Sequence, residues 1–96
     1  MPLTNQEKRK LKATAQHLDP IVRIGKAGLT VTVLQSIEQA LTARELIKIR
    51  FEHDRDERDA LAGKIANTTG AALIMQVGKV AVFHRARPLD KSEKTD

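Results

Sequence analysis

Leu11, Ala15 and Leu18 recur at intervals of four and three, whereas Ile47, Ile49 and Phe51 alternate with Lys48 and Arg50. The first spacing is that of a helix with one apolar stripe, the second that of a strand with one covered face. Thr4 followed three residues later by Glu7 reads as a capping box, so the first helix is expected from there to about His17. Asp19-Pro20 stops it and feeds a strand, Ile21 to Ile24. Thr30 is the expected N-cap of a second helix, about Val31 to Ala43, with Val33, Leu34, Ile37, Ala40 and Leu41 on one face. The next strand is expected over Leu46 to Phe51.

Asp54 to Glu57 is an acidic helix start, favourable against the helix dipole. That third helix runs through Leu61, Ile65 and Ala66 to Gly70, a residue suited to the left-handed turn that ends helices. Ala72 to Val77 and Val80 to Arg85 are apolar strands joined by Gly78-Lys79, which fits a type II′ hairpin. From Ala86 the chain is polar, proline-bearing and aperiodic, and a disordered tail is expected over 86–96. The order αβαβαββ predicts a single α/β domain over 1–85, two-layered, with a four-stranded mixed sheet.

Charge adds a direction to this picture. The 96 residues hold 17 Lys and Arg against 12 Asp and Glu, for a net charge of +5. Residues 1–28 carry six basic groups and two acidic ones, while residues 29–70 are close to balanced. The excess therefore gathers around the first helix and the glycine-bearing segment near residue 26, as expected for a nucleic-acid binder. There is no cysteine, so disulfides and thiolate zinc sites are excluded. No apolar run approaches the ~20 residues of a membrane helix, and the start lacks a signal-peptide core. A cytoplasmic location is expected. With no Trp or Tyr and only two Phe, stacking on aromatics cannot be the main way of holding nucleic acid, and backbone contact is favoured.

Gly25-Lys26-Ala27-Gly28 falls between the first strand and the second helix. Two glycines allow close approach of a ligand to the backbone, and the helix behind them directs unpaired N–H groups and a positive dipole end at the loop. Lys26 adds a full charge, and Thr30 offers a hydroxyl. The combination suits a phosphate, and on so basic a chain that phosphate is expected to belong to RNA or DNA. A GxxG pattern alone is weak, because a strand-to-helix connection often needs glycine. Order and position give it weight.

Lys8, Arg9 and Lys12 lie together on one flank of the first helix, within roughly 100° of arc, and extend the expected positive footprint. Arg23, Lys48 and Arg50 would form a second basic patch if one sheet face is left open. Lys79 reads as a solubilising turn residue. His53, Asp54, Asp56 and Glu57 superficially suggest a metal site, but Arg55 and Arg58 interrupt the run, and no metal or cofactor is expected. No catalytic constellation is evident. Two other readings fit the same loop: an enzyme holding a small phosphorylated substrate, and a basic module for an acidic protein partner.

Several ordered stretches resemble the CRM domain, the chloroplast RNA splicing and ribosome maturation family, and within it the stand-alone bacterial members of the YhbY type. They are Leu18-Asp19-Pro20-Ile21-Val22 running into Gly25-Lys26-Ala27-Gly28-Leu29-Thr30, then Glu45-Leu46-Ile47-Lys48, Thr69-Gly70-Ala71, and Gln76-Val77-Gly78-Lys79 leading to Arg85. The resemblance implies a fold similar to the C-terminal domain of translation initiation factor three and a non-enzymatic RNA-binding module. It implies that the GxxG loop and the basic surface beside it contact RNA. It also implies ribosomal RNA of the large subunit, or its precursor particle, as partner. A monomer is expected.

Overall fold

The computed structural model describes residues 4–86, so the tail expected over 86–96 lies, apart from Ala86, outside the described residues. Helix α1 spans Asn5–Ala15, strand β1 Val22–Ile24, helix α2 Val31–Arg44, strand β2 Leu46–Phe51, helix α3 Arg55–Thr69, strand β3 Ala72–Val77 and strand β4 Val80–His84. The four strands form one mixed sheet in the order β1-β2-β4-β3. Strand β1 runs parallel to β2, while β4 is antiparallel to both β2 and β3.

Local chemistry sets the ends of these elements. Both halves of the capping box form at α1: the Glu7 N–H donates to Thr4 Oγ1 at 3.0 Å and the Thr4 N–H to Glu7 Oε1 at 2.9 Å. Thr30 Oγ1 accepts from the Val33 N–H, and Asp54 Oδ1 from the Glu57 N–H, so α2 and α3 each start on a side-chain cap. Gly70 ends α3 with φ +76°, in the left-handed region. In the hairpin turn Gly78 takes φ +57° and Lys79 does not, the signs a type II′ turn requires. Helix α1 ends two residues short of His17, because His17 and Leu18 donate to Thr14 and Ala15 in tighter three-residue turns.

Alternation along the strands divides the side chains between two faces. On one face Ile24, Ile47, Ile49, Phe51, Ala81 and Phe83 pack against Ile37 and Leu41 of α2 and Ala62 and Ile65 of α3. This is the main core, and the sheet with α2 and α3 makes the two expected layers. The opposite face carries a smaller cluster of Ala15, Ile74 and Val82, with Leu11, Leu46 and Met75 around it. Helix α1 therefore lies across that second face, with contacts to β2 and β3. A register shift between Leu73 and Met75 lets two successive residues, Ile74 and Met75, both join this second cluster.

Candidate nucleic-acid interface

The GxxG segment is a closed turn. The Gly28 N–H donates to the Gly25 carbonyl at 2.9 Å, which leaves Lys26 and Ala27 at the exposed tip. Gly28 has φ +78°, a conformation that costs an L-residue roughly 1–2 kcal/mol. A Cβ added at Gly25 or Gly28 would meet nothing within 4 Å. Glycine is thus required at 28 by backbone geometry rather than crowding, and the space beside both glycines is open to a ligand. The Thr30 N–H then donates to the Gly28 carbonyl at 3.0 Å, which positions Thr30 to cap α2.

Strand pairing decides what stands beside this turn. The Glu52 N–H donates to the Ile24 carbonyl at 3.1 Å and the Phe51 N–H to the Lys79 carbonyl at 2.8 Å. The loop after β1, the segment after β2 and the β3–β4 turn therefore meet at one end of the sheet. Because β1 and β2 are parallel, α2 and α3 both begin at that end, with two positive dipole ends directed there. Lys26 and Gly28 border a shallow cleft of about 260 Å³ shared with His53, Glu57, Ala60 and Leu61. Further round the same end, Arg55, Arg58 and Gly78 line a polar hollow with Asp59 and Gln76. Arg58 is held there by its Nη1 bond to the His53 carbonyl at 2.9 Å.

Arg23 and Arg50 are direct neighbours across the β1–β2 pairing, on the face away from the main core. Both reach Glu52 Oε2, at 3.7 and 3.4 Å, so this acidic side chain offsets part of their charge. Lys48 lies further along the same face, paired with Val82. Of the three cations expected on a second patch, Arg23 and Arg50 are thus brought together beside the loop end, whereas Lys48 lies mid-sheet, where its partner Val82 packs against Ala15 of α1.

Lys8, Arg9 and Lys12 are exposed on α1 but are not brought to the GxxG turn. The N-terminal part of α1 lies toward His84, whose charge helps lower the pKa of Glu7, although the first cause is the hydrogen bond from the Thr4 backbone. His84 pairs with Leu46 at the opposite end of the sheet from Phe51, about 17 Å away at strand rise. The interval of sequence from residue 12 to 26 suggests a continuous patch. The crossing of α1 over the sheet breaks it into two.

Arg85 is a structural clamp. Its Nη1 donates to Glu38 Oε1 at 2.8 Å and to the Thr69 carbonyl at 2.8 Å, and its Nη2 to Thr42 Oγ1 at 3.3 Å. The guanidinium joins α2 to the C-terminal end of α3 and holds the Glu38 carboxyl below its ordinary pKa. Among the described residues no group of acidic and histidine side chains is placed to hold a metal ion. Asp54 in particular is occupied as a helix cap.

Sequence reasoning missed Lys79 and Arg55 as neighbours of the loop. The Gly78-Lys79 hairpin signal was present, but the order in which β4 inserts between β2 and β3 is not a local property.

The model of the CRS1 / YhbY (CRM) domain matches residues 3–85. The chain belongs to that family. A probable RNA-binding protein of Pseudomonas aeruginosa is 35% identical over 89 residues, covering 92% of this chain and 86% of the relative. An RNA-binding protein of Haemophilus influenzae is 38% identical over 84 residues, covering 86% and 85%. The solution structure of a Staphylococcus aureus protein proposed to bind RNA superposes with a TM-score of 0.78 at 32% identity, covering 88% of this chain and 90% of that one.

Proposed function

We propose that this chain is a non-catalytic RNA-binding protein that holds RNA backbone on the end of its sheet formed by residues 25–30, 52–55 and 78–79. The names of its relatives support RNA as the ligand class. The observation that carries the site is the meeting of a glycine turn, two helix N-termini and the cations Lys26 and Lys79 at that one end. Lys26 neutralises a phosphate, Gly25 and Gly28 admit the backbone closely, and Thr30 contributes its hydroxyl from the start of α2. Arg23, Arg50 and Lys48 continue the positive track onto the sheet face. Lys8, Arg9 and Lys12 form a separate positive stripe that engages only an RNA long enough to reach both ends of the sheet.

The RNA is ribosomal RNA of the large subunit or its precursor, bound in the cytoplasm by a monomer during subunit assembly. The family resemblance supports this choice of RNA. Phosphate contacts position a protein without reading sequence, so RNA shape supplies the selectivity. Crosslinking in cells, with sequencing of the bound RNA, tests it. Reads concentrated in large-subunit ribosomal RNA are expected. A distribution that tracks RNA abundance alone would overturn the assignment.

A further inference from the structure

The sheet face that carries the basic track has a second character on its β3–β4 side. Beside the C-terminal end of α1, Met75, Val77, Val80 and Val82 floor a groove of about 340 Å³, with Gln16 and Lys48 at its rim. Val77 is 62% exposed. Cross-strand register sets the cations directly against this floor, because Arg50 pairs with Val80 and Lys48 with Val82. An apolar floor with a cationic edge is complementary to a nucleotide, whose base is flat and weakly hydrated on its faces and whose phosphate is anionic.

We propose that this groove receives one unstacked base of the bound RNA, the sugar–phosphate chain passing along Lys48 and Arg50. Apolar side chains serve as a surface for an extruded base where aromatic ones are lacking, and the chain has no Trp or Tyr to offer. Gln16 also lines the groove, and its amide, which both donates and accepts, suits the hydrogen-bonding edge of a base. The groove adds a contact to the base itself, which the backbone-holding turn at Gly25–Gly28 does not make. This inference rests on the RNA-binding reading above.

The test uses the full chain and two RNA hairpins that differ only in the loop, one of uridines and one of abasic riboses. Methyl NMR monitors Met75 and Val80 while amide NMR monitors Gly28. With the uridine hairpin, ring currents are expected to move the Met75 and Val80 methyl signals, and with the abasic hairpin they stay in place while Gly28 responds to both. The variant Met75→Ala with Val77→Ser is expected to bind the uridine hairpin about fivefold more weakly, the effect of losing a modest stacking contact, with its affinity for the abasic hairpin unchanged. Gly28 shifts without methyl shifts would overturn the groove and leave the backbone reading standing. No response to either hairpin would overturn both. Methyl shifts that grow with protein concentration in the absence of RNA would show a second copy in the groove and overturn the proposal.

Discussion

The Phe51 backbone N–H donates to the Lys79 carbonyl at 2.8 Å, and through that bond the hairpin turn is held beside the end of β2. The next residue, Glu52, donates to Ile24, the last residue before the GxxG turn. Two consecutive amides thus tie together three connections that are distant in sequence. Lys26 and Lys79 are 53 positions apart in the chain, yet both stand on one end of the sheet.

Each of these lysines is expected to contribute about one phosphate contact. Lys26→Ala and Lys79→Ala should each reduce the slope of log affinity against log salt by about 1, at most. Lys8→Ala should leave the slope for a short hairpin unchanged. Filter binding across a salt series checks this. Equal effects at Lys8 and Lys26 would place the contact elsewhere.

Gly28 separates backbone geometry from charge. Gly28→Asn keeps a residue that tolerates the left-handed region, whereas Gly28→Asp adds a negative charge beside the expected phosphate. The aspartate variant should bind RNA about tenfold more weakly than the asparagine variant, or worse. Their circular dichroism should match each other, since both side chains meet the same strain at φ +78° and a Cβ there meets nothing within 4 Å.

Glu52 holds Arg23 and Arg50 in an exposed pairing of modest strength. Glu52→Gln releases both cations. RNA affinity should rise by about two- to fivefold, the range of an exposed ion pair, with a steeper salt dependence. A loss of affinity would show that the carboxylate orders the arginines for binding rather than competing with the phosphate.

Arg85→Ala removes three side-chain hydrogen bonds that join α2 and α3. The cost should be about 2 kcal/mol, lowering Tm by roughly 8–16 °C in a domain this size. RNA affinity of the folded variant should be unchanged. The bonded Glu38 carboxyl has a folded-state pKa below its unfolded value. Its stabilising contribution is therefore present above the ordinary glutamate pKa and is lost as pH falls below it, through the depressed value. In Glu38→Gln that acid-side loss should be smaller, as read by thermal melts across the acidic range.

Much of this fold was legible because its signals are local. Thr4, Thr30, Asp54, Gly70 and Gly78 each act within a few residues of where they stand, and each takes the cap or turn conformation its chemistry suggests. The apolar faces of α2 and β2 were legible for the same reason. The face of the sheet chosen by α1 was not, since Leu11 and Ala15 would bury equally well on either side. Arg85 reads in sequence as the last residue of a strand, and only the meeting of Glu38, Thr42 and Thr69 makes it a clamp. At the candidate site the turn itself was readable, whereas Lys79 as neighbour, Glu52 as counter-charge and the separation of Lys8, Arg9 and Lys12 all depend on strand order.

On this reading RNA backbone is held at the loop end of the sheet. Amide NMR during titration of the full chain with a hairpin RNA tests it most directly. Shifts concentrated at residues 25–30, 52–55 and 78–79 are expected. Shifts confined to α1 and the His84 end, with Gly25 to Thr30 silent, would contradict it.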